Sequence, residues 1–484
     1  MTTMPLKLYN SLTKTIDQFT PLDETVRLYS CGPTVYDHVH IGNLSAFIFA
    51  DTLRRVLSAN GFNAKHVMNF TDVDDKTIQR SREEHPNEEL LTALQLTTQH
   101  YSELFLSDMT AVGNDIDAID FIRATDSSVI AGMQDHIRSL VSQGFAYAAE
   151  DGIYFSIDAY KKSGKVYGQL VDVSVDSTSQ ARIKNDEYDK ESAHDFALWK
   201  IKQAGEPAWE FNVNGQDFSG RPGWHIECSV MSKLGLGQPF DIHTGGIDLM
   251  FPHHENEIAQ STAGQDSTVY AQFFTHNEHI LVDGKKMSKS LGNFYTLDDL
   301  KKKSIDPLAF RLLVLQSHYR RSSNFSLEAI ESATNRLRHW RELACLRWQV
   351  HDTLRDDDEK DTAHDVNGII LAAPHAALEA LNNDLNMPAA LAVIETAFDA
   401  VEAVALDKIQ YHALSQFLEW LDEVFGLQLL ASTPDISEEH KRLILERTRA
   451  RDQKNWERSD DIRHQLAEEG VELRDLNGRT VWTR

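Results

Sequence analysis

Apolar and polar positions alternate over Val26-Arg27-Leu28-Tyr29-Ser30, the rhythm of a short strand, and the chain then breaks at Cys31-Gly32-Pro33-Thr34. After His38-Val39-His40-Ile41-Gly42-Asn43 the period changes. Leu44, Phe47, Ile48, Leu53, Val56 and Leu57 recur at helical spacing until Gly61 closes the helix. A second β-prone run, Ala64 to Phe70, enters Thr71-Asp72-Val73-Asp74-Asp75, whose carboxylates stand where a following helix is capped. Strand, tight turn and helix start predict one half of a parallel sheet that binds phosphate at free backbone N–H groups.

From Asp126 the pattern shifts. A helix is predicted over Val129 to Gln143 and a strand over Gly152 to Ile157, while the polar run Asp172 to Asp195 reads as a loop. Residues 126–215 therefore read as an insertion without a catalytic constellation. Asp241-Ile242-His243-Thr244-Gly245-Gly246-Ile247-Asp248 predicts a strand ending in a glycine turn. Phe251-Pro252-His253-His254-Glu255-Asn256-Glu257 predicts a helix start with proline in the first turn. A helical run from Ile369 to Leu430, broken at Asn386-Met387-Pro388, carries Leu378, Leu381, Leu385, Leu391, Ile394, Phe398 and Val401 as a bundle face.

A chain of 484 residues exceeds one hydrophobic core and predicts several domains. It has no apolar run near the roughly 18 residues of a membrane span, and its N-terminus lacks a secretory apolar region. Three cysteines, Cys31, Cys228 and Cys345, argue against a disulfide framework and for a reducing, cytoplasmic setting. Cys345 has no motif and reads as helix packing. The net charge of −26 disfavours nucleic acid over most of the surface. Basic residues nevertheless cluster twice. Arg320, Arg321, Arg336, Arg338, Arg341 and Arg347 interleave with Trp340 and Trp348, and Lys441, Arg442, Arg447, Arg449, Arg451, Lys454 and Arg458 follow. Residues alone favour salt-bridged solvated faces for both.

Candidate chemistry gathers elsewhere. Lys286-Met287-Ser288-Lys289-Ser290, between Gly284 and Gly292, is a basic loop whose ammonium groups suit polyphosphate oxygens. His40 can donate to phosphate at the first helix, and Gly42 permits close backbone approach. Gly245, Gly246 and Asp248 resemble a nucleotide-binding turn, with the carboxylate as ribose partner. Cys31, Cys228, His253 and Glu257 form a plausible Zn²⁺ set, His253 and Glu257 sharing a helical face. His254 shares a face with Glu257 almost as well, so spacing leaves the histidine open. Position 258 is Ile258, which excludes the HExxH pattern. Trp224, one helical turn before Cys228, is placed to wall a thiol pocket.

His40-Ile41-Gly42-Asn43 with Lys286-Met287-Ser288-Lys289-Ser290 resembles the paired signatures of class I aminoacyl-tRNA synthetases. The thiol, imidazole and carboxylate set resembles the cysteinyl-tRNA synthetases among them. One position departs: Asn43 stands where the family usually has histidine, and its amide retains one donor. The resemblance implies an α/β fold with a Rossmann-type parallel-sheet catalytic domain. Its halves would be residues 1–125 and 216–275, split by a connective insertion at 126–215. A loop and stem-contact region (276–325), an α-helical bundle that binds the anticodon arm (326–435) and a small C-terminal module (436–484) would follow.

The resemblance further implies ATP-dependent activation of L-cysteine and transfer to tRNA(Cys). Cys31, Cys228, His253 and Glu257 would hold one Zn²⁺ that selects the thiol. Gly32, Thr71 and Trp224 would contact cysteine. His40, Gly42, Asn43, Gly245, Gly246, Asp248, Lys286 and Lys289 would serve ATP and its Mg²⁺, with His40, Asn43, Lys286 and Lys289 catalytic. A monomer with no membrane attachment is expected. Two rivals remain at this point: a tRNA-independent cysteine ligase with an amino-sugar acceptor, and a non-catalytic tRNA-binding relative motivated by Asn43.

Overall fold

The computed structural model describes residues 4–171, 195–287, 292–350, 365–476 and 479–484. They form two compact bodies. One holds the described residues within 7–303 and 319–324; the other holds those within 4–6, 304–318 and 325–484.

The first body opens with a hairpin, β1 (Lys7–Asn10) and β2 (Thr15–Gln18). Next come β3 (Thr25–Ser30), α1 (Ile41–Ala59), β4 (Asn63–Phe70), α2 (Asp75–Glu84), α3 (Leu90–Ala111) and β5 (Ile119–Arg123). His40 caps α1, and Gly61 follows the helix at φ 81°, a left-handed conformation that glycine adopts without strain. Asp74 and Thr77 close a capping box on α2, so the carboxylate after β4 caps its helix as expected.

The insertion supplies α4 (Ser127–Ser142), β6 (Ala146–Ala149), β7 (Gly152–Phe155), α5 (Ile157–Lys162), β8 (Phe196–Ile201), β9 (Asn212–Val213), β10 (Gln216–Asp217) and β11 (Gly220–Pro222). Its antiparallel sheet runs β11-β8-β7-β6 and closes beyond residue 215. The polar run expected as a loop lies outside the described residues except for Asp195, which accepts from the Tyr147 hydroxyl at 2.9 Å.

Returning to the main sheet, α6 (Trp224–Leu236), β12 (Phe240–Gly246), α7 (Glu255–Thr262) and β13 (Ala271–Asn277) follow. The central order is β13-β12-β3-β4-β5, with every neighbouring pair parallel. β3 therefore lies between two crossovers that leave in opposite directions. Ligands of open α/β sheets bind at the carboxyl ends flanking such a switch point, and Cys31 stands there. Leu28, Tyr29, Val67, Met68, Phe240, Ile242 and Phe274 bury the sheet.

One expected boundary moves. Phe251 is extended (φ −138°, ψ 133°), and the regular helix begins at Glu255. Proline lacks an N–H and pushes its predecessor out of the helical region, so Pro252 sits in a wide turn (Met250–His254) ahead of α7. Beyond β13 come β14 (Ile280–Val282), β15 (Lys285–Lys286) and α8 (Leu297–Lys302).

The second body begins with α9 (Pro307–Leu315). After β16 (Ser323–Phe325) it continues as α10 (Leu327–Cys345), α11 (Asp365–Leu381), α12 (Met387–Glu402), α13 (Tyr411–Phe425), α14 (Glu438–Asp452), α15 (Trp456–Glu468), β17 (Glu472–Leu476) and β18 (Arg479–Thr483). Asn386 caps α12 as the sequence break predicts. The helical run breaks a second time before α13, where Asn367 on α11 bonds Lys408 O at 3.0 Å and Gln410 N at 2.9 Å. That anchor comes from a distant residue, so no local breaker announces it. The acidic run Asp356 to Asp361 lies outside the described residues.

Much of the first basic cluster wires this body together. Arg336 pairs with Glu395 at 2.6 Å and Arg341 with Asp306 at 2.5 Å, while Arg347 donates to Thr433 and Trp340 is fully buried. Cys345 packs with Ile436, Ile444, Ile462, Leu466, Val471, Leu473 and Trp482.

Candidate metal centre and nucleotide cleft

Cys31 follows β3, its N–H donating to Thr244 O on β12 at 3.2 Å. Cys228 stands on α6, His253 in the wide turn before α7, and Glu257 in the first turn of α7. One ligand atom from each of these four buried residues lies within 4.8 Å of all the others. The two Sγ atoms are 4.0 Å apart, Cys31 Sγ is 3.9 Å from Glu257 Oε1, and His253 Nε2 is 3.1 Å from the same oxygen. Zinc bonds of ~2.3 Å to sulfur and ~2.0 Å to nitrogen or oxygen give tetrahedral edges of roughly 3.8 Å (S···S) and 3.3 Å (N···O). Donor types and spacing both fit a zinc ion.

The neighbours orient these donors. Glu257 Oε2 accepts from His243 Nε2 and from the Tyr270 hydroxyl, each at 2.9 Å, which leaves Oε1 toward the thiols. His253 Nδ1 lies 2.9 Å from His225 Nδ1, and its ring packs 4.4 Å from the indole of Trp224. Trp224 thus touches a candidate ligand directly.

Burial pushes both thiols above their ordinary range and brings His253 down to about 3. Burial alone would raise Glu257, but His243 and His253, with the bonds from His243 and Tyr270, hold its carboxyl below the usual range. The thiols are therefore protonated and the imidazole neutral, and these residues would hold a divalent ion only with loss of the thiol protons.

His254 points its Nε2 at Cys31 Sγ from 3.3 Å, and a second group, Cys31, His243, His254 and Glu257, also meets within 4.8 Å. The ambiguity between neighbouring histidines is therefore physical. Sequence reasoning missed this polar lining (His225, His243, His276, Glu227 and Tyr270). A signal was present in His243 and His276, each near the carboxyl end of a mostly buried strand of the parallel sheet.

Gly32 follows Cys31, and Thr71 follows the adjacent strand β4. Gly32 N donates to Asn69 Oδ1 at 2.7 Å, and a Cβ on residue 32 would stand 1.8 Å from Asn69 O, so only glycine fits. The Thr71 hydroxyl donates to Glu227 Oε2 at 2.8 Å.

A cleft of about 380 Å³ opens over the carboxyl ends of the strands, lined by Cys31, Gly32, His40, Gly42, Asn43, Gly246, Asp248, Lys286 and Met287, among others. His40 Nδ1 accepts from Asn43 N at 3.1 Å, and the ring lies edge-on to Phe294. Ile41 N donates to Tyr295 O at 2.9 Å, which ties the start of α1 to the segment after the basic loop. A Cβ on Gly42 would fall 2.9 Å from the His40 ring and 3.5 Å from Met287 Cε. One at Gly245 would meet the His254 ring at 3.1 Å. Lys286 ends β15, paired with Leu281, so the first lysine of the basic motif sits on a strand. Lys289 lies outside the described residues.

The model of the family described as "tRNA synthetases class I (C) catalytic domain" matches residues 18–335, and that of the "Cysteinyl-tRNA ligase anticodon binding domain" matches residues 433–482. A cysteine--tRNA ligase of Brachyspira hyodysenteriae is 38% identical, with 98% of each chain covered. One of Leptospira interrogans is 38% identical, with 99% of each covered. The chain belongs to the cysteine--tRNA ligase family.

The catalytic-domain match contains all the residues named at the thiol cluster and the cleft, and the anticodon-domain match contains α14, α15 and most of the final hairpin. In fold, this cysteine--tRNA ligase family member is similar to Mycobacterium tuberculosis methionyl-tRNA synthetase in complex with methionyl-adenylate. The TM-score is 0.60 at 13% identity, over 85% of this chain and 94% of that one. Among the described residues no helix is long and apolar enough to cross a membrane.

Proposed function

We propose that this member of the cysteine--tRNA ligase family activates L-cysteine with Mg·ATP as cysteinyl-adenylate and passes the acyl group to the 3′ end of tRNA(Cys). The observation that carries the reading is the convergence of Cys31, Cys228, His253 and Glu257 within 4.8 Å, with Cys31 also lining the cleft. Sulfur recognition and nucleotide binding then share one wall.

One zinc per chain would be held by those four residues. When bound, it favours a thiolate over a hydroxyl, and so separates cysteine from serine where shape separates them poorly. The chain's own residues do the rest. Gly32 brings backbone close to the thiol pocket, Trp224 walls it through His253, and Thr71 is positioned by Glu227. His40 and Asn43 at the start of α1, with Lys286 and Lys289, meet the phosphates as the cysteine carboxylate attacks the α-phosphorus. Gly42, Gly245 and Gly246 let backbone approach the nucleotide, and Asp248 receives the ribose. Catalysis here is positioning and electrostatics, without a protein nucleophile.

The anticodon-domain match favours tRNA over an amino-sugar acceptor. The protein acts as a cytoplasmic monomer in this reading. Radiolabelled cysteine, ATP and tRNA(Cys) test it: label should become tRNA-bound and alkali-labile. Label passed only to a small amine, or none activated, would overturn it.

A further inference from the structure

None of the four candidate ligands comes from the insertion, yet residues 160–170 of it are bonded to both ends of α7, the helix that carries Glu257. At the far end the Tyr160 hydroxyl lies 2.8 Å from Thr262 Oγ1, and Lys165 Nζ donates to Gln265 O at 2.8 Å just past the helix. At the near end the Tyr167 hydroxyl donates to Asn256 Oδ1 at 2.6 Å. The next three residues close on Glu255. Gly168 N and Gln169 N donate to its Oε1 at 2.6 Å and 3.0 Å, and Leu170 N donates to Oε2 at 3.0 Å. Gly168 stands at φ 99°, a conformation open to glycine, and the turn it makes brings three successive N–H groups onto one carboxylate. Glu255, Asn256, Thr262, Tyr160 and Tyr167 are all buried.

Where this clamp sits gives it its consequence. His253 lies two residues before Glu255, and Glu257 two residues after it. Two residues turn an α-helix by about 200°, so Glu255 and Glu257 leave α7 on opposite sides. One carboxylate faces the thiols and the other faces the insertion. The helix does not fix its own start. Phe251 is extended, the His254 side chain does not cap α7, and first-turn N–H groups lack partners within a helix. Cys31 and Cys228 stand on other elements, so a displaced start of α7 would separate the two halves of the ligand set.

We propose that Glu255 is a positioning residue. Through the N–H groups of Gly168, Gln169 and Leu170, the insertion holds the start of α7. His253 and Glu257 are thereby kept at the distance from Cys31 and Cys228 that a metal bound by both thiolates requires. Tyr167 adds to the same hold, whereas Tyr160 secures the end of the helix away from the ligands. The insertion is in this way a working part of the thiol pocket, although it supplies no ligand to it.

This inference rests on the zinc reading above, and one experiment separates their failures. Full-length protein is compared with its Glu255→Gln, Tyr167→Phe and Tyr160→Phe variants. The two tyrosine variants each lose a buried hydrogen bond to α7, at opposite ends. Competition with a chromophoric chelator reads zinc affinity, cobalt absorption reports thiolate ligation, and amide exchange of the metal-free proteins reports the clamp itself. Glu255→Gln turns an amide N–H toward groups that need an acceptor. It should weaken zinc about tenfold, as for other residues behind a metal shell, and raise the KM for cysteine but not for ATP. Its amides at 168–170 and in the first turn of α7 should exchange faster before any metal is added. Tyr167→Phe should weaken zinc about threefold, a fraction of one net hydrogen bond. Tyr160→Phe should lower the unfolding midpoint as Tyr167→Phe does, with zinc affinity and the cobalt spectrum unchanged. An unsubstituted protein without a thiolate-to-cobalt band would overturn the zinc reading itself. With that band present, unchanged zinc affinity in Glu255→Gln would overturn the positioning role alone. Equal weakening in the two tyrosine variants would also overturn it, by showing a general loss of helix stability, and this pair decides the matter even if Glu255→Gln does not fold.

Discussion

The thiol pocket and the nucleotide side of the cleft meet at Cys31 yet are built in opposite ways. The pocket is buried, its donors held by side chains that are themselves held: Glu257 by His243 and Tyr270, His253 by His225 and Trp224. The nucleotide side is open, formed by a helix start, glycine turns and a lysine at a strand end. Choosing a thiol over a hydroxyl requires rigid donors in a dry site. Meeting phosphates that arrive and leave requires accessible backbone and cations that can move.

The contrast can be broken from either side. The largest effect belongs to the pocket. Glu257→Gln removes the anionic ligand and should cost cysteine activation ~10³-fold or more, since a site built around one polar partner discriminates by factors of that order and above. Pyrophosphate exchange and metal analysis measure this, and exchange should fall together with bound zinc. Lys286→Ala comes next. It should lower exchange by ~10²–10³, the usual cost of losing one preorganised charge partner, while bound zinc and cysteine-over-serine preference stay unchanged. If Lys286→Ala also lost zinc, the two sides would not be separate devices.

A smaller and opposite change is expected at Asn43. Asn43→His restores a donor able to carry charge, and a charge-assisted bond exceeds a neutral one by about 1 kcal/mol. Exchange should rise about fivefold with selectivity untouched, measured by steady-state kinetics on both amino acids.

The smallest effect is on stability. His66, bonded to Ser30 at 2.7 Å, is brought by burial, and then by Arg54, from 6.5 to about 3. The folded protein keeps it neutral while the unfolded chain protonates below its ordinary value. Its contribution is therefore complete above pH ~6.5 and is lost as pH falls toward 3. Urea unfolding between pH 7 and 5 should show declining stability, with a shallower decline in His66→Gln.

How much of this could be read from the chain alone follows the same division. The nucleotide side is local in sequence: period changes at His40-Ile41-Gly42-Asn43, paired glycines at Gly245-Gly246, and lysines beside Gly284. The quartet of candidate metal donors could be picked out as residue types, but spacing left His253 and His254 open because both share a face with Glu257. What surrounds them is long-range. Ser11 meets His276 across 265 positions, and Thr71 meets Glu227 across 156. No local period reports such pairs. Pro252 misled in a different way, since its permitted place in a first helical turn concealed the extended residue it imposes on Phe251. The arginine cluster of the second body reads from its residues as a salt-bridged face, and the ion pairs agree. What the residues alone do not supply is the partners: Arg336 pairs with Glu395 and Arg341 with Asp306, while Arg347 is buried against Thr433.

The central claim is that sulfur is recognised by a metal gripped at Cys31, Cys228, His253 and Glu257. The most direct measurement is the ratio of cysteine- to serine-dependent pyrophosphate exchange before chelation, after chelation, and after zinc is restored. The account predicts a high ratio that collapses with metal removal, through loss of the cysteine rate, and returns with zinc. A ratio indifferent to the metal would contradict it.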